Sequence, residues 1–143
     1  MNKRKKPGVV LVVIFLLVAF VGFADAVYLA ASHYLGSLPV CTVIDGCDEV
    51  ALSEWSTIGP VPVALLGTIF YVLMMGWAVL WLDLRRSGMF RFMPFVTVPG
   101  FLFSGWLVYL MFFVIEALCL FCLISAGTTT LLMIMSFRLR SRY

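Results

Sequence analysis

Three long stretches of the chain carry almost no polar side chains, and their lengths predict its elements. Residues 9–34 are apolar apart from Asp25, His33 and a few small polar residues, and residues 61–82 contain no charge at all. A third stretch, 92–137, contains one charged residue, Glu116. A helix that crosses a bilayer needs about 20 mainly apolar residues. At a rise of about 1.5 Å per residue the third stretch is too long for one crossing, so it must turn back once, and Glu116 marks the turn. The pattern therefore predicts four transmembrane helices over 8–35, 60–82, 93–115 and 118–137, with a loop at 36–59. The expected fold is an all-α integral membrane protein, a four-transmembrane-helix bundle formed by a single domain over 1–143.

Composition agrees with lipid as the solvent. The 143 residues are 64% apolar, 15% aromatic and 12% charged, with a mean hydropathy of +1.12. Soluble domains carry about 45–50% apolar and about 25% charged residues, and a small protein has too little interior to hide the excess. A soluble globular domain is excluded.

The ten basic residues orient the bundle. Lys3, Arg4, Lys5 and Lys6 precede the first span, Arg85, Arg86 and Arg91 link the second and third, and Arg138, Arg140 and Arg142 follow the fourth. Basic short loops stay in the cytoplasm, so both termini are expected there. The 36–59 loop, with four of the seven acids (Asp45, Asp48, Glu49 and Glu54), then faces outward. The net charge of +3 is thus a topology signal, and no nucleic-acid partner is expected. The start of the chain also imitates a secretory signal, with Ala24-Asp25-Ala26 as a cleavage site. The apolar pattern continues past it to Tyr34, which favours a retained first span.

Four cysteines supply the candidate chemistry. Cys41 and Cys47 lie in the outer loop, and Cys119-Leu-Phe-Cys122 opens the fourth span. The charge pattern, read without the cysteines, puts both pairs on one face, where disulfides are favoured in most cells. Zinc is disfavoured because the C-x-x-C is set among aliphatic and aromatic residues, so no metal site is expected. Two structural disulfides in a non-catalytic membrane protein remain a reading from another class, with three pairings open. Against it, sulfurs at i and i+3 share one helix face, and a helix N-terminus lowers a thiol pKa. Gly46 gives the outer segment conformational freedom. A mobile outer pair with a membrane-boundary pair is the minimum apparatus for passing two electrons by thiol exchange from an aqueous thiol to a lipid-soluble acceptor.

With these motifs in order, the sequence resembles the vitamin K epoxide reductase family, in its prokaryotic or archaeal form without a fused thioredoxin domain. The resemblance rests on Tyr28-Leu29-x-x-x-His33, then Cys41-x5-Cys47-Asp48-Glu49-Val50-x-x-Ser53. It continues with Gly59-x-x-Pro62-Val63-Ala64-Leu65-Leu66-Gly67-x-x-x-Tyr71 and Cys119-x-x-Cys122. It implies a quinone-linked thiol-disulfide oxidoreductase supporting disulfide formation, with a short helix in the outer loop capping a quinone pocket. By the resemblance Cys41 exchanges with a thioredoxin-like (DsbA-like) partner in trans, Cys47 shuttles to Cys119, and Cys122 reduces a quinone of the ubiquinone, menaquinone or vitamin K type. Ser53 would lie beside the quinone, or serve as N-cap of the turn that follows. Leu66 and Phe70 would present a face to the pocket. The alternative activity is reduction of vitamin K or its epoxide. Two departures count against it: Ala126 stands where the vertebrate enzyme has a tyrosine, and Val63 where it has the asparagine that bonds the vitamin K ring.

Three further residues carry expectations. An acid within a span is costly and suggests a function, so Asp25 is a candidate for quinone contact or proton handling, against a structural pairing. His33 is read as an interfacial anchor or a base toward the thiols. Glu116 is read as a solvent-facing turn residue.

Overall fold

A computed structural model describes residues 6–36, 52–84 and 88–142. Four helices dominate it: α1 (Lys6–Leu35), α2 (Val63–Leu84), α3 (Met89–Phe113) and α4 (Leu120–Arg142). All four are long and apolar enough to cross a membrane. Lipid offers the backbone no hydrogen-bond partner, so a spanning segment must satisfy its own N–H and C=O groups, and the helix does this along its length.

The helix ends differ from the pattern-based bounds for local reasons. Before α2 lie a one-turn 3-10 helix, Glu54–Ser56, and a two-stranded antiparallel hairpin of β1 (Thr57–Ile58) and β2 (Val61–Pro62). Pro62 pushes Val61 toward extended backbone, and Gly59 takes the left-handed φ of 61° that the hairpin turn requires. The apolar run at 61–62 therefore starts as strand, and the helix waits for Val63. At its other end α4 continues through Arg138 and Arg140 beyond the apolar stretch, where cations suit the negative end of the helix dipole. Glu116, with φ 56°, lies in the link between α3 and α4 and is exposed.

Around the bundle, α1 packs against α2 and α4, and α4 against α3, while α2 and α3 barely touch. The half of the bundle where α1 begins and α4 ends is solid. Val12 and Phe15 of α1, Met74 and Ala78 of α2, Phe90 and Met93 of α3, and Leu132 and Leu139 of α4 are fully buried there. Two prolines interrupt α3, Pro94 and Pro99. Beside the first, Thr97 lies 3.0 Å from the Ser136 hydroxyl of α4, so a polar contact crosses the core where the helix is weakened. The other half of the bundle is hollow.

Tyr71 marks the boundary between the two halves. It is 1% exposed, and its hydroxyl lies 2.9 Å from the Ser125 carbonyl, 2.7 Å from the Thr128 hydroxyl and 2.9 Å from that of Thr129. These bonds tie α2 to α4. On its other side the ring presses on Gly22 of α1, where an added Cβ would overlap the ring carbons. Because the hydroxyl cluster fixes the ring, it has little freedom to retreat. Gly22→Ala is therefore expected to destabilise the fold by about 1–3 kcal/mol, the cost of overpacking a core. Tyr71→Phe, which keeps the ring and leaves the Thr128 and Thr129 hydroxyls donating to the Ser125 carbonyl, is expected to cost about 1 kcal/mol. Unfolding temperatures in detergent would check both, and Gly22→Ala at parental stability would show that the ring is free to move.

Candidate functional site

The hollow half contains a cavity of about 720 Å³. Its floor is Tyr71. Its walls come from Ala26 and Leu29 of α1, Leu66, Gly67 and Phe70 of α2, and Phe103, Leu107 and Met111 of α3. Because α2 and α3 barely touch, these side chains face an open space between them. Phe70 packs close against α3: a Cβ on Gly100 would come within 2.7 Å of the Phe70 ring. The ring also meets Tyr71 edge-on, with centroids 5.3 Å apart.

The cap over the cavity is the 3-10 turn with its hairpin. Ser53, Trp55 and Thr57 line the cavity from above. Trp55 meets Trp106 of α3 edge-to-face with centroids 5.9 Å apart, which anchors the cap to the bundle. Ser53 occupies the N-cap position of the turn but makes no side-chain cap bond to it. The turn is closed instead by the Ser56 N–H and hydroxyl, both donating to the Ser53 carbonyl.

Cys119 and Cys122 lie on the α4 side of the cavity, and both line it. Cys119 is buried and Cys122 half-buried. Cys119 immediately precedes α4 and stands at its N-cap, one residue outside the span; its carbonyl accepts the first helical bond, from Leu123 N–H. Its sulfur takes the place of a capping oxygen. The Cys122 thiol donates to it and pulls its pKa well below that of an ordinary cysteine, against the opposing effect of burial, with the backbone N–H groups of Cys122 and Phe121 adding to the pull. The first turn of α4 thus holds one sulfur whose ionised form is favoured and a second thiol hydrogen-bonded to it as donor.

The residues singled out in the sequence separate in space. Ser53, Leu66, Phe70, Cys119 and Cys122 come together around the one cavity, joined by His33 at its rim. Asp25, expected as a possible quinone contact, is not among the lining residues; it is buried in α1 beside the lining residue Ala26. Cys41 and Cys47 fall outside the described residues. Sequence reasoning assigned no site role to Tyr71, which builds the floor, or to Trp55, which builds the lid. A tyrosine deep in one span and the Thr128-Thr129-Thr130 run in another were the available signals, since buried hydroxyls must find one another in lipid.

A family model described as the vitamin K epoxide reductase family matches residues 13–137. The chain belongs to the vitamin K epoxide reductase family. Comparison with curated proteins returned no match. Family membership makes this an integral membrane oxidoreductase whose general chemistry is quinone-linked disulfide redox. The cavity suits that chemistry. Its volume lies in the usual range for small-molecule sites, about 300–1,000 Å³. Its aliphatic and aromatic walls match a flat apolar ring, and Ser53, Ser104 and Ser125 add a few hydroxyls for carbonyl oxygens.

The capping geometry makes a testable statement about this family member. In protein with Cys41 and Cys47 replaced by alanine, the ultraviolet absorbance of thiolate should develop at a pH below the ordinary cysteine value of about 8.5. Cys122→Ala removes the leading donor and should move that midpoint up. An unmoved midpoint would assign the whole effect to the helix amides.

Proposed function

We propose that this protein oxidises a thioredoxin-like partner and delivers the electrons to a membrane quinone, so that the partner can insert disulfides into other proteins. Overall, a partner dithiol and a quinone become a partner disulfide and a quinol. The observation that carries the reading is that both sulfurs of the C-x-x-C line an apolar cavity of quinone size. The quinone accepts two electrons and two protons when bound.

The chain's own residues divide the work. Cys41 in the outer loop exchanges with the partner thiol, and the resulting Cys41 and Cys47 thiols hold the two electrons. Cys47 attacks the Cys119–Cys122 disulfide at Cys119, releasing Cys122 as thiolate. Cys41 then resolves the mixed disulfide, which restores the outer disulfide and leaves the inner pair reduced. The hydrogen bond from Cys122, with the amides at the start of α4, lowers the pKa of Cys119 and so favours its thiolate for the return to disulfide. Cys122, facing the cavity, is the electron donor to the acceptor. Ser53, Leu66 and Phe70 hold the ring, the serine by hydrogen bond and the other two by contact. The basic segments Lys3 to Lys6, Arg85 to Arg91 and Arg138 to Arg142 place both termini in the cytoplasm and the four cysteines outside.

Val63 and Ala126 both line the cavity. Where the resemblance sets an asparagine and a tyrosine in the vertebrate enzyme, this site has only aliphatic surface, which supports a quinone acceptor over vitamin K epoxide.

Purified protein supplied with a reduced thioredoxin-like partner is expected to consume added quinone, and Cys122→Ala is expected to abolish this. Quinone reduction that survives Cys122→Ala would overturn the relay. For its order, Cys47→Ala should trap the partner on Cys41 as a stable mixed disulfide, visible on a non-reducing gel. Trapping on Cys47 in Cys41→Ser, with none on Cys41, would reverse the two roles.

A further inference from the structure

Asp25 is buried ten residues before the end of α1, at 8% exposure. Neither carboxyl oxygen has a hydrogen-bond partner among the described residues. An ionised carboxylate without donors is costly in such a place, and lipid beyond the bundle cannot relieve it. Packing alone does not account for a carboxyl here, because an aliphatic side chain would fill the space without that cost.

Its neighbours suggest a use. One turn further along α1, Tyr28 packs on Phe121 with ring centroids 5.0 Å apart, and Phe121 immediately precedes Cys122. This contact lays the Asp25 face of α1 against the first turn of α4, where the carboxyl is near enough to Cys119 and Cys122 to interact electrostatically with both. Few other titratable groups compete. From α2 comes Tyr71, whose hydroxyl is engaged with α4. His33 is two turns along α1 at the cavity rim, and Glu54 is on the cap. The α4 cations Arg138, Arg140 and Arg142 lie at the far end of that helix.

Resting on the quinone-reductase reading, we infer that Asp25 is a proton store for the Cys119–Cys122 pair, neutral when the pair is reduced and ionised when it is oxidised. In the reduced site, the Asp25 acid, the Cys119 thiolate and the Cys122 thiol together hold two protons and one negative charge. Oxidation forms the S–S bond and sends an electron pair to the quinone. Its two oxygens receive the Cys122 proton and the Asp25 proton, the second passing by way of Cys122, which lines the cavity as Asp25 does not. The negative charge lost from Cys119 reappears on Asp25. The site therefore completes a two-electron, two-proton transfer with no change in its net charge, which matters where charge is poorly screened. Asp25 acts through the cysteines and is a positioning residue for the proton.

The test has two arms. In the first, full-length protein carrying Cys41→Ala and Cys47→Ala is held in lipid nanodiscs and oxidised with diamide, which needs no quinone. The infrared difference spectrum should show loss of a protonated-carboxyl band and gain of carboxylate on oxidation. Asp25→Asn should lack both changes, and Asp25→Glu should retain them at shifted frequency. A parent spectrum without a carboxyl change, or one that persists in Asp25→Asn, would overturn the inference, and the parent's result stands even if the variants do not fold. In the second arm, quinone reduction by protein with all four cysteines should fall at least about tenfold in kcat in Asp25→Asn, with KM for quinone unchanged and partial recovery in Asp25→Glu. Parental kcat in Asp25→Asn would also overturn it. A carboxyl change in a parent that reduces no quinone would instead remove the quinone-reductase reading and leave the redox-linked proton on Asp25 in place.

Discussion

Lipid accepts and donates no hydrogen bonds, and the structure follows from that constraint. Each backbone group must be satisfied within its own helix, and each hydroxyl inside the bundle must find a protein partner. Ser32, Thr68 and Thr130 bond the carbonyl four residues back on their own helices. Thr97 and Ser136 meet across the α3–α4 interface, and Tyr71 gathers Ser125, Thr128 and Thr129. These contacts hold the helices in register where apolar packing, equally good against lipid chains, supplies little preference. Asp25 is the described acid that departs from the rule, and it does so beside Cys119 and Cys122.

The same constraint explains why a cavity and a solid core share one small bundle. Below Tyr71, large side chains from all four helices fill the interior. Above it, α2 and α3 separate, small residues such as Ala26, Gly67 and Gly100 leave room, and the cap closes the top. A rigid floor tied into α4 sets the helix that carries the C-x-x-C against the wall that carries Phe70. The geometry of the thiols and the shape of the cavity are therefore two consequences of one set of contacts. Cys119 adds a third, since the residue that begins α4 is also the sulfur whose pKa is lowered.

Much of this was legible along the chain. The apolar runs located four spans because length and hydropathy suffice when the solvent is a slab of known thickness. Cys119 and Cys122 were recognisable because their spacing matches the helical repeat and their neighbours are apolar. The family was legible from the order of short motifs, and the match over 13–137 shows it. Less was legible at the segment ends: hydropathy does not distinguish a two-residue strand from the first turn of a helix, so Val61 and Pro62 read as helix and form a hairpin.

What the sequence by itself determined is the solvent, the number of spans, the clustering of cations toward one end, and the presence of a dithiol at the other. These are one-dimensional properties, carried by composition and spacing. Only the tertiary structure decided which side chains share a space. Asp25 and Ala26 are neighbours in the chain, yet Ala26 lines the cavity and Asp25 lies off it beside the cysteines, because successive helix positions point about 100° apart and packing chooses the direction of each. Tyr71 became the floor for the same reason: its partners lie more than fifty residues away, and no local pattern records a contact made across the bundle.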